Sequence, residues 1–292
     1  LTAYAAYGLR RSKEGNSLAN LTLHNATTGA GTVYRFDNTR EDHVRTGEIG
    51  VRGQARTGGV GHEWVASAAV FDFSKDNAYA MDWRNTLAAN LYQPVYHAQP
   101  AFGPSALRGG DLANPRRTGR TRLNSFALGD TLSLLDERLR ITLGLRHQRM
   151  DIRDYAYGSA QQTARYDKKR TSPAVGVVYK PVQGLSLYAN YIEGLSQGQT
   201  APGTAVNVGQ MLPPYVSKQK EIGLKYDAGR LGLGLAFFST TKPRSLLTAD
   251  KVFTAQGRDR HQGLEFTVFG EAVRGLRLLG GATWLDARQT RT

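Results

Sequence analysis

The chain has 292 residues, is 40% hydrophobic and carries a formal net charge of +14. Its mean hydropathy of −0.43 and the lack of any run of roughly 18 apolar residues exclude a helical membrane bundle, and the absence of cysteine excludes disulfides and thiolate metal sites. The basic residues are spread over stretches expected at loops and strand entrances, so anionic lipid or an anionic ligand explains them at least as well as nucleic acid, and no nucleic-acid partner is predicted.

A period-two alternation of apolar with polar or small side chains recurs along the chain, as expected of strands with two different faces. Residues 139–146, for example, place aliphatic side chains on one face and arginine, threonine or glycine on the other. The pattern predicts eleven strands, in chain order near residues 2–12, 42–56, 62–79, 120–134, 138–153, 171–180, 184–195, 217–227, 230–241, 258–270 and 275–288.

The connections between these strands alternate in length. Short turns are predicted near residues 57–61, 135–138, 180–184, 227–230 and 271–275. Long connections are predicted near residues 13–41, 80–119, 154–170, 196–216 and 242–257. Bacterial outer-membrane barrels have short periplasmic turns and long outer loops in this order, so the sequence predicts an all-β, antiparallel transmembrane β-barrel. Because such barrels have an even number of strands, eleven strands indicate part of a larger wall.

Three passages resemble wall hairpins of the TonB-dependent outer-membrane siderophore receptors. The first is TLSLLDERLRITLGLRHQRMD at residues 131–151. The second is SPAVGVVYKPVQGLSLYANYIEGLSQG at 172–198, followed by LPPYVSKQKEIGLKYD at 212–227. The third is RDRHQGLEFTVFGEAVRGLRLLGGATWLDAR at 258–288. Their order along the chain matches the family, and together they cover much of residues 120–288.

The resemblance implies a 22-stranded barrel in the bacterial outer membrane, plugged by an N-terminal domain and energised through TonB, that takes up a ferric siderophore. Residues 1–292 are expected to be a partial barrel, since the sequence shows no signal segment before Leu1, no plug domain, no TonB box and no closing C-terminal strands. The implied partners are a ferric siderophore, the TonB complex through the absent parts, and outer-membrane lipid with lipopolysaccharide. A monomer is expected.

Two other functions remain open at this point. The same wall could serve a receptor for haem, a cobalamin-like compound or an oligosaccharide, because barrel strands do not encode the ligand. A surface or adhesive barrel that transports nothing would also show long loops. An enzyme is not predicted, because the sequence has no HExxH or P-loop motif and its six histidines lack ligand spacing, so catalytic residues, a resident cofactor and a metal site are not expected.

Candidate ligand-binding residues lie in the predicted long connections. A siderophore complex already satisfies its iron, so the receptor needs aromatic surface and hydrogen-bonding groups and no metal ligands. The candidates are the aromatic, arginine and glutamine side chains of three connections: Trp83, Tyr92, Tyr96, Phe102, Arg108, Arg116, Arg117, Tyr155, Tyr157, Gln197 and Tyr215.

Overall fold

A computed structural model describes residues 1–291 as one antiparallel sheet of 13 strands. The strands are β1 (Thr2–Leu23), β2 (Ala30–Thr57), β3 (Val60–Met81), β4 (Leu87–Asn90), β5 (Leu107–Gly109), β6 (Arg116–Leu134), β7 (Leu139–Tyr155), β8 (Gln162–Tyr179), β9 (Leu185–Ser196), β10 (Tyr215–Asp227), β11 (Leu231–Leu247), β12 (Phe253–Val273) and β13 (Leu276–Arg291). Eleven long strands pair in chain order, whereas β4 pairs with β2 and β5 with β3. The all-β prediction and its eleven wall strands are therefore confirmed.

Tight turns join the strands at one end of the sheet. The turn between β6 and β7 holds Leu135, Asp136 and Glu137 with φ of 51°, 52° and 66°, and the turn between β2 and β3 contains Gly58 with φ of 59°. The predicted short turns are confirmed. Within residues 1–291 no helix is long and apolar enough to cross a membrane.

One face of the sheet, here called the outer face, carries a band of exposed apolar side chains. Phe126, Leu128 and Leu145 are 66%, 62% and 55% exposed. Register joins such residues into rows, because Leu128 pairs with Ala66 on β3 and with Leu145 on β7. Apolar surface of this extent and continuity is expected to face lipid or a protein partner.

The apolar band crosses the sheet obliquely. On the long-loop side it ends at Leu9 on β1, whose row reaches Asp151 on β7. On β12 it ends at Leu264, whose row reaches Ile141 on β7. The band thus shifts by about ten residues over about nine strand pairings, which at roughly 3.3 Å per residue and 4.8 Å per strand gives a tilt of roughly 37°. Strands of outer-membrane barrels tilt by about 35–45°.

The opposite, inner face is polar and its side chains pair across strands. Tyr188 donates to Glu221 Oε1 at 2.8 Å, and the ammonium of Lys225 lies 5.4 Å from the Tyr188 ring centroid. Arg146 donates to Ser125 Oγ at 2.9 Å. A polar inner face behind an apolar outer face is the arrangement of a barrel wall around a wet lumen.

Three predicted long loops are wrong in extent. The strands continue far beyond the apolar band, so the connections shrink from 13–41, 154–170 and 242–257 to 24–29, 156–161 and 248–252. In these extensions both faces meet water, and the period-two signal disappears from the sequence. Cross-strand polar contacts hold them instead. Ser17 donates to Asp37 at 2.6 Å, and Arg11 contacts Glu41 at 2.9 Å.

The two remaining long connections differ from each other. Residues 197–214 lie between β9 and β10, as predicted. The predicted connection 80–119 contains β4 and β5, and β6 begins within it at Arg116. Both short strands add to the edges of the extensions, which folds this connection back onto the sheet.

Candidate functional site at the long-loop end

A cleft of about 400 Å³ opens on the inner face of the β1–β3 extensions, beyond the apolar band. Its aromatic walls are Phe36, Tyr79 and Tyr157, and its polar walls include Arg40 and Asn77. Pockets for small ligands combine apolar surface with a few polar groups and commonly enclose about 300–1,000 Å³. This cleft has that composition and size.

Cross-strand register places the aromatic rings together. Phe36 pairs with Met81, and Asn38 pairs with Tyr79, so the two rings occupy successive rows of the same face. The Phe36 and Tyr79 ring centroids are 6.5 Å apart with an interplanar angle of 28°. Tyr157 meets Tyr79 edge-on, with centroids 5.0 Å apart. The three rings form one aromatic surface.

Glycines allow these rings to approach. Tyr79 lies against its cross-strand partner Gly109, where any Cβ would collide with the ring. Gly110 and Gly158 have φ of 89° and 76°, and a Cβ on either would lie 3.3 Å from the Cα of the other. This backbone contact brings the 156–161 turn, and Tyr157 with it, onto the cleft.

The charges of the cleft are balanced. Arg40 Nε donates to Asp42 Oδ1 at 2.8 Å, which raises the pKa of the Arg40 guanidinium above its ordinary value, so it stays cationic. Glu14 faces Arg40 across β1 and β2, and Lys75 faces Asp42 across β2 and β3. Acids and bases thus alternate around the cleft, and neither sign dominates.

Asn77 leaves one acceptor of the cleft free. Its Oδ1 is buried and has no hydrogen-bond partner among the described residues. A buried acceptor without a partner costs roughly 1–3 kcal/mol, and a donor from a bound molecule would recover that cost. Asn77 is therefore a candidate for contacting a ligand.

A second cluster lies on the outer side of the same extensions. Two guanidinium groups lie close to the Phe102 ring, with Arg35 Cζ 4.3 Å and Arg108 Cζ 5.4 Å from its centroid. Arg35 also donates to the Pro100 carbonyl at 2.7 Å and contacts Asp37 at 2.5 Å. These contacts fix the 91–106 segment to β2. They support the loop and do not reach the inner cleft.

The loop between β9 and β10 is tied to its neighbours by tyrosines and an asparagine. Tyr166 and Tyr215 are 1% and 5% exposed. Their hydroxyl oxygens accept hydrogen bonds from the backbone N–H groups of Gly198 and Gln199. Asn207 accepts from Phe253 N and donates to Phe253 O, at 2.8 and 2.9 Å, which joins this loop to the start of β12.

The predicted ligand-binding residues are distributed over several surfaces. Tyr157 alone lines the inner cleft, and Phe102 stacks with Arg108 on the outer side. Tyr215 is buried and supports its loop, so its ring is not presented to a ligand in this structure. The others lie apart from the cleft lining. They are Trp83, exposed beside Arg84; Tyr92, which donates to the Ala26 carbonyl; Tyr96, which is 97% exposed; Arg116; Arg117, 3.5 Å from Asp76; Tyr155; and Gln197, near Phe253.

The sequence interpretation missed Phe36 and Tyr79. Phe36 fell inside the predicted loop 13–41, and Tyr79 was the last residue of a predicted strand. One available signal was the presence of aromatic residues near the outer ends of consecutive strands. Over the described range, no three His, Asp or Glu side chains lie close enough to hold a metal ion.

Comparisons with known proteins bear on this geometry. Residues 2–292 match the family model described as "TonB dependent receptor-like, beta-barrel". The chain is 33% identical to the ferrichrome receptor FcuA of Yersinia enterocolitica over 297 residues, which is 99% of this chain and 38% of that protein.

Solved structures give the same fold. The structure superimposes on BauA, the ferric preacinetobactin receptor of Acinetobacter baumannii, with a TM-score of 0.83 and 32% identity, covering 99% of this chain and 43% of that one. The ferripyoverdine receptor of Pseudomonas aeruginosa matches with a TM-score of 0.74 at 18% identity, covering 99% and 39%. The chain therefore spans about two fifths of the length of these relatives.

Proposed function

We propose that this chain, which belongs to the TonB-dependent receptor β-barrel family, forms part of a receptor for ferric siderophores. Members of this family are bacterial outer-membrane receptors and transporters and not enzymes. In this family the apolar outer face meets lipid and the polar inner face lines the lumen. The long-loop end then lies at the cell exterior. On this proposal, the cleft of Phe36, Tyr79 and Tyr157 would lie where a ligand enters.

The observation that carries the proposal is this aromatic cleft on the lumen side of the extracellular extensions. A ferric siderophore is bulky and its iron is already coordinated, so a receptor recognises the organic shell through ring surfaces and hydrogen bonds. Tyr79, which contacts both Phe36 and Tyr157, supplies the ring surface with them, and Arg40 as donor and Asn77 Oδ1 as a free acceptor supply the hydrogen-bonding groups.

The balance of acidic and basic side chains around the cleft indicates which net charge the ferric chelate should carry. Three monoanionic hydroxamates neutralise ferric iron, whereas three catecholates leave the complex strongly anionic. A strongly anionic ligand would be favoured by a cleft with excess positive charge. Because Arg40 and Lys75 face Glu14 and Asp42, this part of the mouth favours an uncharged chelate such as a ferric trihydroxamate. Two relatives above 30% identity are named as receptors for ferrichrome and for ferric preacinetobactin, which supports an iron-chelate ligand.

Uptake by the whole receptor would involve parts beyond these strands. We propose that a plug domain fills the lumen, that the barrel closes with about 22 strands, and that a TonB box couples release to the TonB complex. The barrel model and the two-fifths coverage of the relatives support this division of the receptor. Residues 1–292 would supply wall and mouth.

The proposal is tested by measuring the affinity of the complete receptor for ferrichrome, ferric preacinetobactin and a ferric tricatecholate. Tyr79→Ala and Tyr157→Ala should each weaken binding of the preferred chelate by about tenfold to a hundredfold, since an anchor ring is lost. Tyr96→Ala is the matched control, because that ring is 97% exposed, and its affinity should stay unchanged.

Unchanged affinity in both cleft variants would remove the cleft from ligand binding. Absence of binding to every iron chelate, with binding of haem, a cobalamin or an oligosaccharide, would reassign the receptor to another nutrient. Iron-limited growth that is independent of TonB would contradict the proposed energy coupling.

A further inference from the structure

A carboxyl group interrupts the apolar band of the outer face. Asp130 on β6 has Trp64 on β3 and Leu143 on β7 as its cross-strand partners. On β6 itself, Leu128 precedes it and Leu132 follows it on the same face. Apolar side chains thus surround Asp130 on all four sides, within the part of the wall that faces hydrocarbon. Ionisable groups in such a position are costly and commonly mark a functional contact.

Contacts within the chain satisfy only part of the Asp130 side chain. His62 Nδ1 donates to Asp130 Oδ2 at 2.8 Å. The other oxygen, Oδ1, is buried and has no hydrogen-bond partner among the described residues. The His62 and Asp130 side chains are 25% and 35% exposed, so this His62–Asp130 pair is accessible from outside the wall. No water replaces a missing donor in hydrocarbon, and the pair is therefore incomplete within one chain.

The pair also has a hydrogen atom to share. An isolated charge is costly in an apolar surrounding, so the pair is most stable when it is net neutral. One imidazole and one carboxyl group that are neutral together hold two protons. The first lies in the contact between His62 Nδ1 and Asp130 Oδ2, and the second, on His62 Nε2 or on the carboxyl group, makes no hydrogen bond within residues 1–291. In either form the pair presents one donor and one acceptor side by side.

The surface around the pair consists of a ridge and two hollows. A hollow of about 670 Å³ contains the His62–Asp130 pair. A second hollow, of about 750 Å³, adjoins it on the extracellular side. Leu128 and Leu145 are cross-strand partners that line both hollows, so they form the ridge between them. Such a surface fits a copy of itself turned by a twofold rotation, because the ridge of each copy then enters a hollow of the other.

We propose that a second copy of the receptor covers this patch in the membrane, with His62 of each copy opposite Asp130 of the other. A twofold axis places the donor of each pair beside the acceptor of the other pair, so two reciprocal hydrogen bonds use both second protons. Lipid chains offer no such groups, whereas hydrogen bonds between polar side chains join membrane-spanning segments of proteins. The receptor is then a dimer, where the sequence predicted a monomer, and the ligand cleft on the inner face stays open.

The experiment measures Förster energy transfer between donor-labelled and acceptor-labelled copies of the complete receptor in lipid vesicles, as the ratio of protein to lipid is varied. His62→Leu and Asp130→Leu should each weaken dimerisation by about tenfold to a hundredfold, because two hydrogen bonds of the dimer are lost at once. Both variants leave an apolar wall that suits lipid. His261→Leu is the matched control, since His261 lies on the inner face, and its dimerisation should equal that of the parent.

A mixing experiment tests whether the contact is reciprocal. His62→Asp produces copies with two carboxyl groups at the patch, and Asp130→His produces copies with two imidazoles. Neither variant should dimerise alone, whereas an equal mixture should restore dimers, because each contact then joins an imidazole to a carboxyl group. Heat-modified gel migration confirms that both variants fold.

Energy transfer in the parent that never exceeds the value for random mixing in the membrane would overturn the proposal. Equal transfer in the parent and in both leucine variants would overturn it as well, and so would a mixture of folded variants that restores no dimers.

Discussion

The outer face of β6, β7 and β8 has two regions that share strands and register but differ in every side chain. Within the apolar band, Leu128, Leu145 and their neighbours are exposed and apolar. A few residues further out, the same alternate positions carry Asp151, Asp167 and the arginines that contact them. The hydrogen-bonded ladder runs through both regions. The surrounding solvent, and not the backbone, decides which side chains each region carries.

The two regions are also stabilised differently. In the apolar region no water competes for the backbone groups, so the ladder is obligatory and a charge on this face is costly. In the outer region each exposed ion pair contributes only about 0–1 kcal/mol. Loop contacts such as Gly110 with Gly158 then determine how the tips are arranged.

The largest expected effect comes from placing a charge in the apolar region. Phe266→Arg on the outer face should lower the free energy of unfolding of the complete receptor in lipid vesicles by about 2–4 kcal/mol, because the guanidinium meets hydrocarbon and its cross-strand partners Leu235 and Ala282 offer no counter-charge. Thr267→Arg is the control one residue away on the inner face and should cost less than about 1 kcal/mol. Equal costs measured by denaturant titration would contradict the assignment of the two faces.

An intermediate effect is expected where the extracellular tips touch. Gly158→Ala places a Cβ 3.3 Å from Gly110 and should displace the 156–161 turn with Tyr157, which weakens chelate binding by about tenfold. Gly209→Ala is matched to it, because Gly209 has a similar φ of 78° with open space around it. Both variants share a backbone strain of roughly 1–2 kcal/mol, so only a difference in ligand affinity reports the contact.

The smallest effect concerns the ion pairs. Hydrogen bonding to Arg153 holds the pKa of Asp151 well below its ordinary value. Because the folded pKa lies below the unfolded one, the stabilisation is present above the unfolded pKa and is lost as pH falls through the folded pKa. Asp151→Asn should therefore reduce stability by less than about 1 kcal/mol at pH 7, and the difference from the parent should shrink below about pH 4.

Asp136→Asn, in the exposed β6–β7 turn, provides the control, because Asp136 makes no ion pair within the described residues. Thermal unfolding of the complete receptor between pH 3 and 7 measures both variants. A difference for Asp151→Asn that grows on acidification would contradict the sign given above.

The sequence predicted the wall because the two faces of each spanning strand meet different solvents, so residues such as Leu143 and Thr142 must alternate. It failed in the extensions, where Ser17 and Asp37 are both polar and no alternation remains to mark a strand. The predicted long connections were therefore too long on three hairpins. The cleft could not be located for a related reason: Phe36 and Tyr79 are distant in sequence and meet only through the β2–β3 register.

By itself, the sequence determined the antiparallel wall, its apolar and polar faces, the end that carries the long connections, and the family resemblance. These features follow from the local alternation of side chains and from short motifs, and neither depends on which strands pair with each other. Tertiary structure alone decided how far the strands extend, which rings share the cleft, and that Arg149 on β7 stands opposite Lys169 on β8. Those features depend on register, because a shift of one residue between strands would send every side chain to the other face.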